Sequence, residues 1–366
     1  MIRVNIAVQP RPYEAVIGHG LLGRAGVELR QLLGTARTPA VFVVTVPPVR
    51  RRWGKKLTAS LVEAGFQPKT VEMPDGERHK KLATVEQLAE KLSRLGAERN
   101  SVLVAFGGGV IGDVTGLLAS LYMRGVDVVQ IPTTVLAQVD AAIGGKTGVN
   151  LRAGKNLLGT FHQPLAVLID PAVCATLSER QFRAGLYEVL KCGVIGRPEL
   201  FSRLETTNIS ALRRDPAALE WVISEAVQLK AEVVSSDERE GGLRRVLNLG
   251  HTIGHALEAE SGYRRFLHGE AVAWGMIAAA NIAVEVSASD GEVGRQIVDA
   301  VLRLGPLPKV TARPRDIVRL LRGDKKTQNG VVHFVLPRTI GRVEIVNNVP
   351  EKAIITAVDR LRRVSE

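Results

Sequence analysis

The sequence is poor in cysteine and in aromatic side chains, and it has no long uninterrupted apolar run. Its two cysteines, Cys174 and Cys192, form no CxxC pair and cannot make a disulfide framework, so buried free thiols are expected. Phe, Trp and Tyr make up 4% of the 366 residues, too few to supply the stacking platforms on which single-stranded nucleic acid lies. No stretch reaches the roughly 20 apolar residues that span a bilayer. The opening Met1-Ile2-Arg3-Val4-Asn5-Ile6 alternates like a strand instead of reading as a leader, which gives the expectation of a cytoplasmic protein with no membrane partner. Acidic residues are in deficit: 37 Asp and Glu face 49 Lys and Arg, a formal net charge of +12. That balance suits nucleic acid or a strongly anionic small substrate. The basic residues are scattered, with short clusters at Arg50-Arg51-Arg52 and Arg360-Leu361-Arg362-Arg363, which argues for the small molecule and against nucleic acid.

A chain of this length exceeds one ordinary core, so two domains are expected. Up to residue 170, short apolar runs alternate with helical stretches. Pro39 to Thr45, Thr70 to Met73, Ser101 to Phe106, Val126 to Ile131 and Leu165 to Ile169 read as strands, with helices at 50 to 65, 82 to 95 and 114 to 122 between them. This order predicts a doubly wound α/β sheet. After Asp170-Pro171 helical periodicity takes over, at 179 to 196, 198 to 206, 215 to 235, 251 to 260, 269 to 287 and 291 to 304, with no clear strand before 331 to 336. The predicted organisation is 1–170, an α/β domain, and 171–366, a mainly α-helical one.

Several stretches carry chemistry. Gly107-Gly108-Gly109-Val110-Ile111-Gly112-Asp113 contains GxGxxG between a strand and a helix, where glycines let backbone N–H groups and a helix N-terminus approach a pyrophosphate. It sits deep in the domain, whereas a usual dinucleotide fingerprint lies on the first strand, and a ligand-free tight turn is the alternative. Pro132-Thr133-Thr134 closes a strand at a carboxyl end of the sheet. Asp140-Ala141-Ala142-Ile143-Gly144-Gly145-Lys146-Thr147 imitates the tail of a P-loop but has Asp140 where the first glycine belongs. It reads as a loop carrying Lys146 and then Gly154-Lys155-Asn156, whose lysines are either solvated charges or anion contacts. In the apolar run 184–195, Glu188 and Lys191 lie three apart and must be paired, metal-bound or turned to a ligand. His251 and His255, four apart, project from one helix face and can hold a metal, and Thr252 stands where a zinc protease needs its glutamate. With His268 and Glu270 nearby, a His/carboxylate set containing Glu188 is expected.

Ordered blocks along nearly the whole chain make the sequence similar to the 3-dehydroquinate synthase family. They are Pro74-Asp75-Gly76-Glu77-Arg78-His79-Lys80, the glycine turn 107–113, Pro132 to Asp140, Gly144 to Asn150, Gly154 to Pro164, Tyr187-Glu188-Val189-Leu190-Lys191, Leu247 to Glu258, His268-Gly269-Glu270-Ala271-Val272 and Asp324-Lys325-Lys326. The resemblance implies a Rossmann-like NAD domain, a helical metal domain and an active site between them. It puts Zn2+ or Co2+ on Glu188, His251 and His268, moving His255 from the metal to the substrate. NAD would lie on Asp75, Gly76, Glu77 and Lys80, on Gly109, Val110, Ile111, Gly112 and Asp113, and on Thr133, Thr134, Lys146, Lys155 and Thr176. Catalytic and substrate contacts would be Arg124, Asp140, Lys146, Asn156, Lys191, Lys230, Arg244, Asn248, His255 and Lys326 or its neighbour Lys325. In this family the arginine matching Arg124 reaches a neighbouring subunit's site, which implies a homodimer.

The implied reaction converts 3-deoxy-D-arabino-heptulosonate 7-phosphate, a phosphorylated sugar acid, to 3-dehydroquinate and phosphate, a step toward aromatic amino acids. NAD oxidises a hydroxyl, phosphate leaves by β-elimination, the ketone is reduced again, and an intramolecular aldol closes the ring. A sister cyclase acting on sedoheptulose 7-phosphate or glucose 6-phosphate, and a metal-dependent polyol dehydrogenase, are the rival readings. Five positions depart from the family pattern: Val46 where an acidic residue commonly meets the adenosine ribose, Gln181 for glutamate, Ala141 and Ala142 for serines, and Tyr187 for alanine.

Overall fold

The computed structural model describes residues 1–34, 38–323 and 332–366. It divides into two compact units, Met1–Leu177 with Pro216–Ser235, and Ser178–Asp215 with Ser236–Glu366. A single boundary after residue 170 does not include the return of 216–235, which belongs to the long helix Pro216–Ser236. That helix is held to the first unit by Glu220, which accepts from His19 N at 2.7 Å, and by Ser235, whose Oγ accepts from Ala7 N at 2.9 Å.

The first unit is built on a seven-stranded sheet in the order β1-β2-β9-β6-β5-β3-β4. The strands are β1 Ile2–Ile6, β2 Tyr13–Ile17, β3 Val41–Thr45, β4 Lys69–Glu72, β5 Val102–Gly107, β6 Asp127–Pro132 and β9 Ala166–Ile169. β1 and β2 form an antiparallel hairpin, and from β2 onward all pairings are parallel. β3, β5 and β9 are buried along their whole length, as continuous apolar runs under helices on both faces require. Helix Ala25–Leu33 packs with helix Lys55–Glu63, and helix Leu82–Arg94 with helix Gly109–Leu121. Phe42, Val44, Leu103 and Ala105 of the sheet form one core with Leu88, Leu92, Val114 and Leu117. Val46 joins it, an apolar side chain 5% exposed where the family pattern has an acid. From β3 the chain adds β4 on one side, then crosses to place β5 on the other, so the carboxyl ends of β3 and β5 flank a topological switch point.

The stretch read as a loop after Gly145 is a separate antiparallel hairpin, β7 Lys146–Leu151 with β8 Gly154–Phe161. Its glycines and polar residues hide the strand pattern, because part of it lies over helix Gly109–Leu121 and part faces water: the Cβ that Gly116 lacks would meet Thr147 at 2.5 Å.

Among its described residues the second unit is helical apart from the hairpin of β10 His333–Thr339 with β11 Arg342–Asn347. At its centre runs helix His268–Glu285, rich in Ala and Gly and buried from Gly269 to Ala280. A helix apolar all round must be covered all round. Helices Glu179–Gly196, His251–Glu260, Gly291–Arg303 and Glu351–Val364 cover it. Helix Glu179–Gly196 opens on a capping box in which Ser178 and Gln181 bond reciprocally, a task glutamine does as well as the glutamate it replaces. Among the described residues no helix is long and apolar enough to cross a membrane.

Candidate functional site

In the first unit the glycine turn lies at the switch point. Gly107 ends β5, and helix Gly109–Leu121 starts beyond Gly108 with no side-chain cap. Its first N–H groups have no helical partner, and a helix N-terminus carries partial positive charge. Gly109 stands against Ala141, its missing Cβ 3.2 Å from the alanine methyl, and Val110 and Ile111 complete the first turn. Thr133 is buried, with its N–H on Gly107 O at 2.9 Å, and Thr134 Oγ1 accepts from Ala137 N at 3.1 Å. Thr134 therefore caps the segment leading into a π-helical turn, Ala137–Ala141, that carries Asp140.

Lys80, 5% exposed, bonds Asp113 and Asn156 Oδ1, the latter at 2.5 Å. Burial lifts the Asp113 carboxyl above the usual carboxylate range, with the Lys80 ammonium pulling the other way. Glu77 accepts from Asn150 Nδ2 at 2.7 Å, next to the exposed Asp75 and Gly76. Lys230, on the helix that returns to this unit, pairs with the Asp140 carboxylate and donates to its carbonyl at 2.5 Å. Lys146 is exposed and Lys155 half-buried, both on the β7–β8 hairpin. Thr176 Oγ1 accepts from Trp53 Nε1 at 3.2 Å. Arg124 is exposed, with a left-handed backbone at φ 68°.

In the second unit three helices bring together Glu188, His251, His255 and His268. The ligand-type atoms of the three histidines lie within 4.8 Å of one another. His251 Nε2 is 3.9 Å and His268 Nε2 3.5 Å from Glu188 Oε1. Both imidazoles are oriented from behind: His251 Nδ1 by Leu249 O at 3.2 Å, His268 Nδ1 by Glu258 Oε2 at 3.3 Å. Such partners fix which ring nitrogen is left for a metal. Glu188 is 1% exposed and neither of its oxygens accepts a hydrogen bond. Lys191 Nζ stands 2.5 Å from Oε2 as an ion pair, without the alignment of a hydrogen bond. The Lys191 ammonium offsets the charge at Oε2, and Oε1, which accepts no hydrogen bond, is the oxygen turned to the two imidazoles. Two imidazoles and a carboxylate fit Zn2+ or Co2+. His255 has its ring centroid 5.1 Å from His251 and 5.7 Å from His268, against 5.2 Å between those two, so the three rings form one cluster; what sets His251 and His268 apart is their approach to Glu188 Oε1.

Arg244 is 3% exposed and donates to Glu238 O, and Asn248 Nδ2 donates to Glu240 Oε1 at 2.6 Å. Lys325 and Lys326 lie outside the described residues. The sequence reading missed Glu258 and Asn150. Glu258 has a legible signal, since it follows His251 by seven residues and so shares its helix face. Asn150 has none, because two of its three partners, Glu77 and Lys80, come from a distant turn.

Comparison with solved structures gives the class. The chain matches ValA, the 2-epi-5-epi-valiolone synthase of Streptomyces hygroscopicus subsp. jinggangensis 5008 with NAD+ and Zn2+ bound, at a TM-score of 0.88 and 33% identity over 98% of this chain and 99% of that one. A 2-deoxy-scyllo-inosose synthase complexed with carbaglucose-6-phosphate, NAD+ and Co2+ matches at 0.86 and 26% over 98% and 99%. The architecture is that of the sugar phosphate cyclases. Residues 70–184 match the family described as 3-dehydroquinate synthase N-terminal, and 185–327 that described as 3-dehydroquinate synthase C-terminal. The 3-dehydroquinate synthase of Koribacter versatilis (strain Ellin345) is 51% identical over 100% of this chain and 99% of its own. The chain belongs to the 3-dehydroquinate synthase family.

Proposed function

We propose that the chain converts 3-deoxy-D-arabino-heptulosonate 7-phosphate to 3-dehydroquinate and phosphate. The observation that carries this reading is the convergence of His251 and His268 on the buried Glu188, in a chain whose full-length relatives bear that activity's name. Glu188, His251 and His268 would hold Zn2+ or Co2+. The 75–80 turn, Gly109 to Asp113, Thr133, Thr134, Lys146, Lys155 and Thr176 would hold NAD+. When bound, the dinucleotide supplies a reversible hydride acceptor and the metal a Lewis acid for the substrate's hydroxyl oxygens.

The substrate carries a carboxylate and a phosphate, and its leaving group is an anion. Lys191 and Arg244, both almost fully buried, offer cations where little water screens them. Asn248, Asn156, Asp140 and Lys230 would orient the polar face of the sugar, and His255 would hold or pass a proton at an imidazole nitrogen. Arg124 is exposed on a segment whose apolar neighbours Leu121 and Met123 are also exposed, which supports its reaching across a homodimer into the partner's site.

The test is phosphate release from 3-deoxy-D-arabino-heptulosonate 7-phosphate by metal-stripped protein, with and without Zn2+ and NAD+, following dehydroquinate and NADH in the same samples. Phosphate and dehydroquinate should appear together, only with both additions and without net NADH. Accumulating NADH, or turnover of sedoheptulose 7-phosphate in place of this substrate, overturns the reading.

A further inference from the structure

Asn150 is not among the dinucleotide or substrate contacts assigned above, yet it joins them. The β7–β8 ladder runs evenly to Val149 opposite Leu158 and resumes only at Leu151 opposite Gly154. Between those pairs β7 has one residue, Asn150, and β8 has three, Lys155, Asn156 and Leu157. Irregularities of this kind re-aim side chains and are common beside active sites. Here the N–H of Asn150 leaves the hairpin and donates to Lys80 O at 2.8 Å. Its side-chain amide donates to Glu77 Oε1 at 2.7 Å, and its Oδ1 accepts the N–H of Asn156 at 2.9 Å. Asn156 holds a left-handed backbone, φ 54°, and its own Oδ1 accepts from Lys80 Nζ at 2.5 Å. Asn150, Glu77, Lys80 and Asn156 thus close a ring, with Lys80 also tied to Asp113 at the glycine turn.

The ring asks for an amide at 150. One side chain has to donate to a carboxylate and accept from a backbone N–H together, and among side chains of this length only asparagine does both. Aspartate would set a second carboxylate against Glu77, and alanine would leave Glu77 and the Asn156 N–H without this partner.

We propose that Asn150 is a positioning residue that couples dinucleotide occupancy of the 75–80 turn to the seating of Asn156 for substrate, so that the two ligands bind with positive cooperativity. This rests on the reading of those two contacts given above. A dinucleotide held by Glu77 and Lys80 fixes two of the three groups that Asn150 bonds, and through its amide fixes the backbone of Asn156. By linkage, substrate on Asn156 strengthens the dinucleotide site by the same factor.

The experiment uses the full chain with Zn2+. NAD+ alone is added to wild type and to N150A while hydrogen exchange of amides 154–158 is followed, and calorimetry measures NAD+ binding to each. Exchange should slow about fivefold or more in wild type and hardly change in N150A at equal NAD+ occupancy. In turnover, N150A should raise KM for 3-deoxy-D-arabino-heptulosonate 7-phosphate about tenfold with kcat changed less than about threefold, and N150A/N156A should be no worse than N156A. N150D, which keeps the shape and the acceptor, should behave as N150A does and covers the case that alanine disturbs folding. Equal slowing of exchange in wild type and variants, or additive losses in the double variant, overturns the coupling. Failure of wild type to bind NAD+ overturns the functional reading itself, and the coupling with it.

Discussion

Asp237 gathers a turn around one carboxylate. Its oxygens accept from Gly241 N at 2.9 Å, Gly242 N at 2.7 Å and Arg244 N at 3.0 Å, which sets the start of the segment bearing Arg244. Partial burial works against its charge, but the N–H groups of Arg244, Gly242 and Gly241 outweigh it and hold the carboxyl below the usual carboxylate range. A lowered folded-state value means stabilisation that is fully present above the unfolded-state value, about 3.9, and lost as pH falls through the folded one. D237N should therefore cost roughly 1 kcal/mol at neutral pH, allowing for solvent at this exposed turn. The gap to wild type should close below about pH 4. Thermal melts of both proteins between pH 3 and 7 check this, and a gap independent of pH refutes it. Tyr187 shows the opposite effect of surroundings: fully buried, it has its phenol pushed well above the ordinary value by desolvation, and its hydroxyl donates to Gly305 O at 3.3 Å. That accounts for its place beside Glu188 as core packing.

At the scale of elements, the proposed metal set depends on how closely three helices approach. A Cβ on Gly269 would lie 1.8 Å from Ala184 O, in the helix that carries Glu188. The residue before it is His268, so the backbone contact at Gly269 sets the spacing of these two groups. G269A must push the helices apart, at a cost of about 1–3 kcal/mol or more for overpacking, and should weaken Zn2+ binding in chelator competition while leaving NAD+ binding unchanged. Unchanged zinc affinity in folded G269A would refute this. The approach was not legible in the sequence, where His268-Gly269-Glu270 shows ligand types but not the neighbour that excludes a Cβ. Legible were the elements with one strong period: the buried strands β3, β5 and β9, and the helices around His251 and His268. The β7–β8 hairpin was not, since Gly148, Gly154 and Gly159 dilute its alternation and its irregularity at Asn150 is set by the 75–80 turn. Periodicity also gave helix Pro216–Ser236 without its partner; a helix face states that something covers it, not which unit does. The pairing of Lys230 with Asp140 follows from that return and could not be read in advance.

For the whole molecule, an excess of 12 positive charges without a nucleic-acid platform fits anionic substrates, and the homodimer proposed above would rest on apolar surface. Leu151, Leu157, Leu158 and Phe161 on the β7–β8 hairpin are exposed, as are Leu121 and Met123 beside Arg124. The two groups adjoin, because Thr160 Oγ1 of β8 donates to Ser120 Oγ at 2.9 Å. Exposed apolar side chains on two adjoining elements make this region a candidate interaction surface. If it is the face of the proposed homodimer and Arg124 serves the partner's site, two inactive variants should rescue each other. R124A lacks the arginine it lends, and E188Q lacks the metal carboxylate of its own site. In a mixed dimer, the R124A protomer keeps its own Glu188 and receives Arg124 from the E188Q protomer, so one of the two sites is whole. Random mixing makes half the dimers mixed, and activity should recover to about one quarter of wild type. Each variant alone should stay near zero. The measurement is phosphate release after the two proteins are unfolded together and refolded at equal concentration, against the same proteins refolded apart. No recovery, with mixed dimers shown to form by differently tagged chains, would mean that Arg124 acts within its own subunit.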